Sequence, residues 1–129
     1  MIKKLTHITI LVKDQEEALQ FYTKKLGFEL HTDANFGTMR WLTVNPQGNK
    51  TMEFCLLKPE TQEGFEQIGK QGGNFGIGCL ETDDAHKTFQ AFKDAGVIIV
   101  SEPKTEDWGT GFTIKDLYGN LFYINQPAE

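Results

Sequence analysis

The sequence has little of what would point to a nucleic-acid, membrane or extracellular role. Its 13 Lys and Arg residues are outnumbered by 18 Asp and Glu residues, and Arg40 is the only arginine. A formal net charge of −5 leaves no basic face for nucleic acid and no polybasic anchor for a membrane. We therefore expect neither of these as a partner.

Long apolar runs and cysteine motifs are also scarce. The apolar stretch after the N-terminal lysines is short and alternating, whereas a signal peptide needs about 7–15 continuous apolar residues and a spanning helix about 20. Cys55 and Cys79 each lie in an apolar, strand-like run, where a free thiol acts as a small hydrophobe. No phosphate-binding loop, nucleophile elbow or C-x-x-C pair is present. The pattern predicts a cytoplasmic protein with reduced thiols.

An internal repeat organises the 129 residues. The segment His7–Leu30 predicts a strand, a helix and the start of a second strand, and Phe75–Val100 predicts the same order again. Asp14, placed to cap the first helix, has a counterpart 69 residues later at Asp83, next to a second candidate cap, Asp84. The glycines that end the two helices are separated by the same 69 residues.

The repeat predicts an α+β fold made of two βαβββ modules. We place module one at about residues 4–57, a polar linker at about 58–73 and module two at about 74–126, within one domain of residues 1–129. Each sheet has a face that its own module leaves uncovered. Two such sheets side by side form a cup-shaped mixed β-sheet with the helices outside.

Two motifs carry a resemblance to a known family. THITILVKDQEEALQFYTKKLGF opens module one and KDLYGNLFYINQ closes module two. With the duplicated plan, they resemble the vicinal oxygen chelate superfamily, which includes glyoxalase I, bleomycin-resistance proteins, extradiol dioxygenases and fosfomycin-resistance enzymes. The resemblance covers Leu5 to Gln126 and implies the glyoxalase/bleomycin-resistance fold.

The resemblance also implies a divalent metal (Zn, Ni, Fe or Mn) held in the cup by up to four side chains. By position, the two ligands of module one match His7 and Glu53, whereas Gly76 and Tyr123 stand at the other two positions. Two protein ligands are fewer than the three or four that hold Zn²⁺ tightly. We therefore expect the metal to be absent or weakly bound.

The residues around these positions leave alternatives open. Alternation along the strands puts both His7 and Glu53 on the cup face. Either they hold a metal, with Glu53 as catalytic base, or His7 is a hydrogen-bonded remnant and Glu53 faces solvent on a frayed edge. The other two histidines, His31 after the second strand and His86 in the second helix, are placed outside the cup.

Aromatic residues and the arginine supply candidate ligand contacts. Trp108, in a glycine-containing loop, and Tyr123 are placed to stack on a ligand. Arg40 and Trp41 are adjacent on a strand and point to opposite faces, so at most one of them enters the cup.

Two functions follow from this sequence. The first is a metal-free protein that binds a small, partly aromatic or cationic molecule in the cup, as bleomycin-resistance proteins do. The alternative is a divalent-metal-dependent lyase, isomerase or dioxygenase of glyoxalase type. In both cases the resemblance implies a homodimer.

Overall fold

The computed structural model describes residues 1–129 and divides the chain into two compact units, Met1–Ile68 and Gly69–Glu129. Each unit contains one of the two predicted modules, and from here on module one means Met1–Ile68 and module two means Gly69–Glu129. Each contains one mixed β-sheet, of four strands in module one and five in module two, with few helices. The expected α+β class and the duplicated plan are confirmed.

Module one follows the βαβββ order. Its elements are β1 (His7–Leu11), α1 (Gln15–Gln20) extended by a π-helical turn (Phe21–Lys25), β2 (Phe28–Phe36), β3 (Met39–Pro46), β4 (Glu53–Leu57) and α2 (Gln62–Glu66). The strands lie in the order β1-β4-β3-β2. The first and last strands, β1 and β4, are parallel neighbours, and the other pairs are antiparallel.

Helix α1 begins and ends where the sequence predicts. The Asp14 carboxylate accepts a hydrogen bond from the backbone N–H of Glu17 at 3.0 Å, which satisfies one of the free donors of the first turn. Gly27 follows the helical segment with a φ of +78°, a conformation that glycine adopts at no steric cost. The helix contacts β4, the neighbour of β1, and the alternating Ile10 and Val12 of the first strand segment are fully buried.

Module two repeats this plan with one departure. Its elements are β5 (Gly76–Glu81), α3 (Ala85–Asp94), β6 (Ile98–Ile99), β7 (Lys104–Glu106), β8 (Gly109–Lys115) and β9 (Leu121–Pro127). The sheet order is β5-β9-β8-β6, and β7 also pairs with β8. Where module one has the single nine-residue β2, module two has β6 and β7 separated by a break that contains Pro103. Proline has no N–H to give to the ladder, so the strand cannot run through it.

The segment Asp116–Asn120 of the closing motif, with the pattern D-x-x-G-N, forms the turn between β8 and β9. Asp116 is buried, and its Oδ1 accepts hydrogen bonds from the backbone N–H groups of Tyr118, Gly119 and Asn120 at 2.8–3.0 Å. The Asn120 amide donates to Asp116 Oδ2 at 3.1 Å. The motif therefore fixes a turn.

Two further expectations concern the helices and the thiols. The longest helix, α3, has ten residues, and no helix combines the length and apolarity that crossing a bilayer requires. Both cysteines are free: Cys55 is buried in β4, and Cys79 is exposed in β5.

Candidate functional site

The candidate site in module one begins with a pair of residues on adjacent parallel strands. His7 of β1 lies directly opposite Glu53 of β4. Because cross-strand partners share a face of the sheet, their side chains meet, and His7 Nε2 lies 2.9 Å from Glu53 Oε2. The Glu53 side chain is only 13% exposed. Glu53 therefore has a side-chain partner on the sheet and does not extend freely into solvent.

A third side chain, from His31, joins this pair. Its Nδ1 lies 2.9 Å from Glu53 Oε1. The sequence predicts His31 just after the second strand and outside the cup, which is wrong because β2 continues through His31 to Phe36 and is locally irregular. The pairing of β2 with β3 shifts register between Leu30 and Thr32, so His31 is an extra residue in the strand. Such bulges re-aim a side chain, and this one turns His31 toward Glu53.

Thr43 of β3 completes the surroundings of the carboxylate. Its hydroxyl donates to Glu53 Oε1 at 2.6 Å. A carboxylate only accepts hydrogen bonds, so the two imidazole nitrogens that face Glu53 must carry their protons. Glu53 thus accepts from three donors, supplied by His7, His31 and Thr43. We call these four residues the Glu53 cluster.

Neighbouring threonines fix the two imidazole rings. His7 Nδ1 lies 2.8 Å from the hydroxyl of Thr6, and His31 Nδ1 lies 2.8 Å from that of Thr32. With Nε2 protonated, the neutral His7 ring accepts from Thr6 through Nδ1. In His31 the protonated Nδ1 faces both Glu53 and Thr32, which leaves its Nε2 as the one nitrogen of the cluster without a hydrogen-bond partner.

Trp41 and Arg40 take opposite sides of β3, as alternation requires. The Trp41 ring lies 5.8 Å from the His7 ring, centroid to centroid, on the side of the Glu53 cluster. Arg40 contacts Asp33 through two hydrogen bonds, at 2.9 and 2.8 Å, and Glu16 of α1 at 3.1 Å. Its guanidinium is held by two carboxylates on the helix side.

The ion pair shifts the pKa values of both Asp33 and Arg40. Hydrogen bonding and charge from Arg40 hold the pKa of Asp33 below its ordinary value. The same contacts, first of all those with Asp33, raise the pKa of Arg40. The ion pair fastens the β2–β3 hairpin to α1 and leaves this guanidinium with partners inside its own module.

A cleft beside this ion pair lies between α1, the tip of the β2–β3 hairpin and the end of β4. It encloses about 140 Å³ and is lined in part by Gln15, Met39 and Pro59. Ligand pockets for drug-sized molecules enclose about 300–1,000 Å³. The cleft is too small for such a ligand, and the Glu53 cluster remains the candidate site of module one.

Cys55 lies on β4 near the cluster but is not a reactive thiol. Burial, with a smaller contribution from the charge of Glu53, raises the pKa of Cys55 to about 11. A thiol nucleophile needs the opposite shift. Cys55 therefore acts as a core residue.

Module two has no counterpart of the His7–Glu53 pair. Gly76 of β5 lies opposite Leu121 of β9, and Tyr123 lies opposite Cys79. None of these offers a carboxylate or an imidazole. In the whole chain, no three His, Cys, Asp or Glu side chains are arranged to hold a metal ion. The residues therefore do not fit the ligand set that the family resemblance implies, because the cluster nitrogens point at Glu53 and not at a common ion position.

Module two instead carries an aromatic pair, Trp108 and Tyr123. Trp108 is in the two-residue turn between β7 and β8, and its indole N–H donates to the Tyr123 hydroxyl at 3.1 Å. Tyr123 lies over Gly111, where a methyl group would overlap the phenol ring. Despite this contact, Trp108 is 60% exposed. The pair presents an aromatic surface whose orientation is fixed by the hydrogen bond between the two side chains and by the packing of Tyr123 on Gly111.

Comparisons with known proteins agree with this architecture. The family model described as the Glyoxalase/Bleomycin resistance protein/Dioxygenase superfamily matches residues 4–124. A protein of Shewanella frigidimarina without an assigned function is 33% identical over 128 residues, which cover 98% of this chain and 95% of that protein.

Two solved structures are similar over nearly the whole chain. The crystal structure of UcmS2 is 38% identical, covers 97% of this chain and 98% of its own, and superposes with a TM-score of 0.86. The structure of TnmS3, described as an antibiotic binding protein from Streptomyces sp. CB03234, is 28% identical, covers 98% of both chains and has a TM-score of 0.83.

Proposed function

The chain belongs to the glyoxalase/bleomycin resistance protein/dioxygenase superfamily, and from this premise we propose that it binds a small, partly aromatic organic molecule without a metal ion. The similarity to TnmS3, an antibiotic binding protein, supports a binding function. The observation that carries the proposal is the exposed Trp108, whose indole is held in place by Tyr123.

The exposed indole of Trp108 offers a large apolar face that a ligand can cover. Trp is enriched where a large apolar surface meets a partner, and its N–H normally finds an acceptor. Here the Tyr123 hydroxyl supplies that acceptor within the protein, so a ligand can cover the indole face without leaving the N–H unpaired. The ring needs no reordering on binding, which lowers the entropic cost of association.

Module one offers a second, separate set of contacts for a ligand. Trp41 lies beside His7, and Glu53 is a carboxylate whose Oε2 has accepted only one of the hydrogen bonds available to it. This set would recognise an aromatic ring with a nearby N–H or O–H donor, a protonated amine included. Arg40 is a weaker candidate for ligand contact because Asp33 and Glu16 hold its guanidinium.

The binding proposal is tested by titrating the protein with bleomycin and with a panel of polycyclic aromatic antibiotics, followed by intrinsic tryptophan fluorescence. We expect micromolar or tighter binding by at least one compound. Trp108→Ala weakens it tenfold or more, because covering a large side chain is worth about 1.5–3 kcal/mol. Phe75→Ala, which removes another exposed aromatic of module two, leaves affinity unchanged. No binding by any member, or equal binding by Trp108→Ala, contradicts the proposal.

The second candidate is a divalent-metal-dependent lyase, isomerase or dioxygenase that uses His7 and Glu53, with Glu53 as base. One observation favours it: two histidines and one carboxylate meet in the Glu53 cluster, and this set of residue types holds iron in some oxygenases. It requires metal-dependent turnover that disappears in Glu53→Gln. The hydrogen bonding of the cluster supports metal-free binding instead, because the nitrogens that would bind an ion donate to Glu53.

We also infer a homodimer, as members of this length form. Apolar side chains on the edge strand β2 support self-association, since Leu30 and Phe36 are 49% and 64% exposed. Light scattering after gel filtration should give twice the chain mass of 14.6 kDa. A mass of one chain at micromolar concentration contradicts the inference.

A further inference from the structure

The contacts of Glu53 assign a role to His31 that the family resemblance does not provide. We propose that His31 keeps the His7–Glu53 pair as a hydrogen-bonded unit and thereby disfavours the binding of a divalent metal ion to it. The contacts that support this role are all between groups of the protein, so the role does not depend on which ligand the protein binds.

The bulge in β2 determines the position of His31. A regular strand would place Leu30 and Thr32 on one face and the residue between them on the other. The extra residue at the β2 bulge brings His31 onto the same side as Thr32, whose backbone is opposite Thr43. The ring then reaches the Oε1 atom of Glu53 at 2.9 Å.

The direction of the two imidazole N–H groups at Glu53 disfavours an ion. Both imidazoles face Glu53 through a protonated nitrogen, because a lone pair at 2.9 Å from a carboxylate oxygen would repel it. A metal ion needs the opposite arrangement, with a nitrogen lone pair directed at the ion. An ion beside Glu53 would therefore meet the N–H groups of both rings. Even after a change of tautomer at His7, the donors other than His31 would number two, His7 and Glu53.

The carboxylate of Glu53 is already engaged in hydrogen bonds. Oε1 accepts from both His31 and Thr43, the latter at 2.6 Å, so this oxygen is already doubly hydrogen bonded. Binding an ion would break these charge-assisted hydrogen bonds before any coordination is gained. His31 acts here as a positioning residue that orients Glu53 and excludes the ion.

The direct experiment is calorimetric titration of the chelator-treated protein with Ni²⁺ and with Zn²⁺ alone. We expect wild-type dissociation constants above about 1 μM, since two ligands hold an ion weakly. In His31→Ala the affinity for the ion should be higher, because the competing N–H is gone. His31→Gln, which keeps an N–H donor, should match wild type. A submicromolar wild-type constant, or an affinity that is unchanged in His31→Ala, overturns the proposal, and a drop in affinity in this variant would show that His31 is a ligand.

Two additions keep the result unambiguous. His86→Ala removes an exposed histidine of α3 and corrects for ions bound at surface histidines. For the wild-type chain alone, long-range ¹H–¹⁵N correlations of the histidine rings report the tautomer. We expect His31 as the Nδ1–H form, and the Nε2–H form would refute the proposal even if a variant did not fold. Ligand binding is measured in excess chelator, so failure here is distinguishable from failure of the proposed function.

Discussion

His31 Nδ1 lies 2.9 Å from Glu53 Oε1, although the two residues belong to strands that are separated in the sheet by β3. The side chain of Thr43, on that intervening strand, donates to the same oxygen. All four strands of module one thus contribute to one hydrogen-bonded cluster. A cluster of this kind depends on strand register, and a shift of one residue in any strand would disperse it.

The two cysteines should differ sharply in reactivity. The pKa of Cys55 is raised to about 11, so only about a thousandth of this thiol is ionised at pH 8, and it is buried. Burial and the charge of Glu81 also raise the pKa of Cys79, but Cys79 is exposed. A thiol-specific reagent at pH 8 should label one cysteine per native chain and two per unfolded chain.

The matched variants identify the labelled residue. Cys79→Ser should abolish labelling of the native protein, and Cys55→Ser should leave it unchanged. Fast modification of Cys55 in the folded chain would mean that β4 opens more readily than its buried position indicates.

The Asp33–Arg40 ion pair should make the free energy of unfolding of module one depend on pH in the acidic range. Its pKa is held below the ordinary 3.8 by Arg40, so the ion pair stabilises the fold above that pH and is lost as pH falls through the lower folded value. We expect Asp33→Asn to lower the free energy of unfolding at neutral pH by about 0.5–1 kcal/mol, because the pair is partly exposed.

Urea denaturation across a pH series tests this dependence. The difference between Asp33→Asn and wild type should shrink once the pH falls below 3.8. Asp83→Asn, at an exposed aspartate without an ion pair, is the control and should stay close to wild type throughout. A difference for Asp33→Asn that is equally large in acid would rule out the ion pair as its cause.

Asp116→Ala should be among the most destabilising substitutions outside the apolar core. The variant removes the acceptor of three backbone N–H groups in the β8–β9 turn. Unsatisfied buried donors cost about 1–3 kcal/mol each, and solvent relieves part of this, so we expect a loss of about 2–4 kcal/mol. Chemical denaturation measures it. Asp116→Asn retains an acceptor and should lose less, and equal losses would contradict the account.

Gly111→Ala should disturb the aromatic pair of module two. The added methyl overlaps the ring of Tyr123, so the ring must move and the hydrogen bond from Trp108 is lost. Overpacking of this kind costs about 1–3 kcal/mol. In the double variant Gly111→Ala/Tyr123→Ala the overlap with the ring is absent and only that with the backbone oxygen of Ile124 remains. The two effects should therefore be less than additive. Additive losses would show that Tyr123 does not lie over Gly111.

The sequence predicted the repeated plan because its signals are local. Asp14 and Gly27 mark the ends of one helix by their own chemistry. Asp84, the second of the two candidate caps, and Gly96 mark the ends of the other helix 70 and 69 residues later. Alternation also placed Arg40 and Trp41 on opposite faces correctly. Nothing local marked the bulge that moves His31, because a register shift belongs to a pair of strands. Pro103, by contrast, is a local signal for the break in the corresponding strand of module two.

The most direct test of the central claim is calorimetric titration of the wild-type chain with the best-binding antibiotic of the panel, in excess EDTA and again after dialysis against Zn²⁺. The account predicts the same dissociation constant in both conditions and one molecule bound per site. Binding that disappears in EDTA and returns with Zn²⁺ would contradict it, and would make His7 and Glu53 ligands of a functional metal ion.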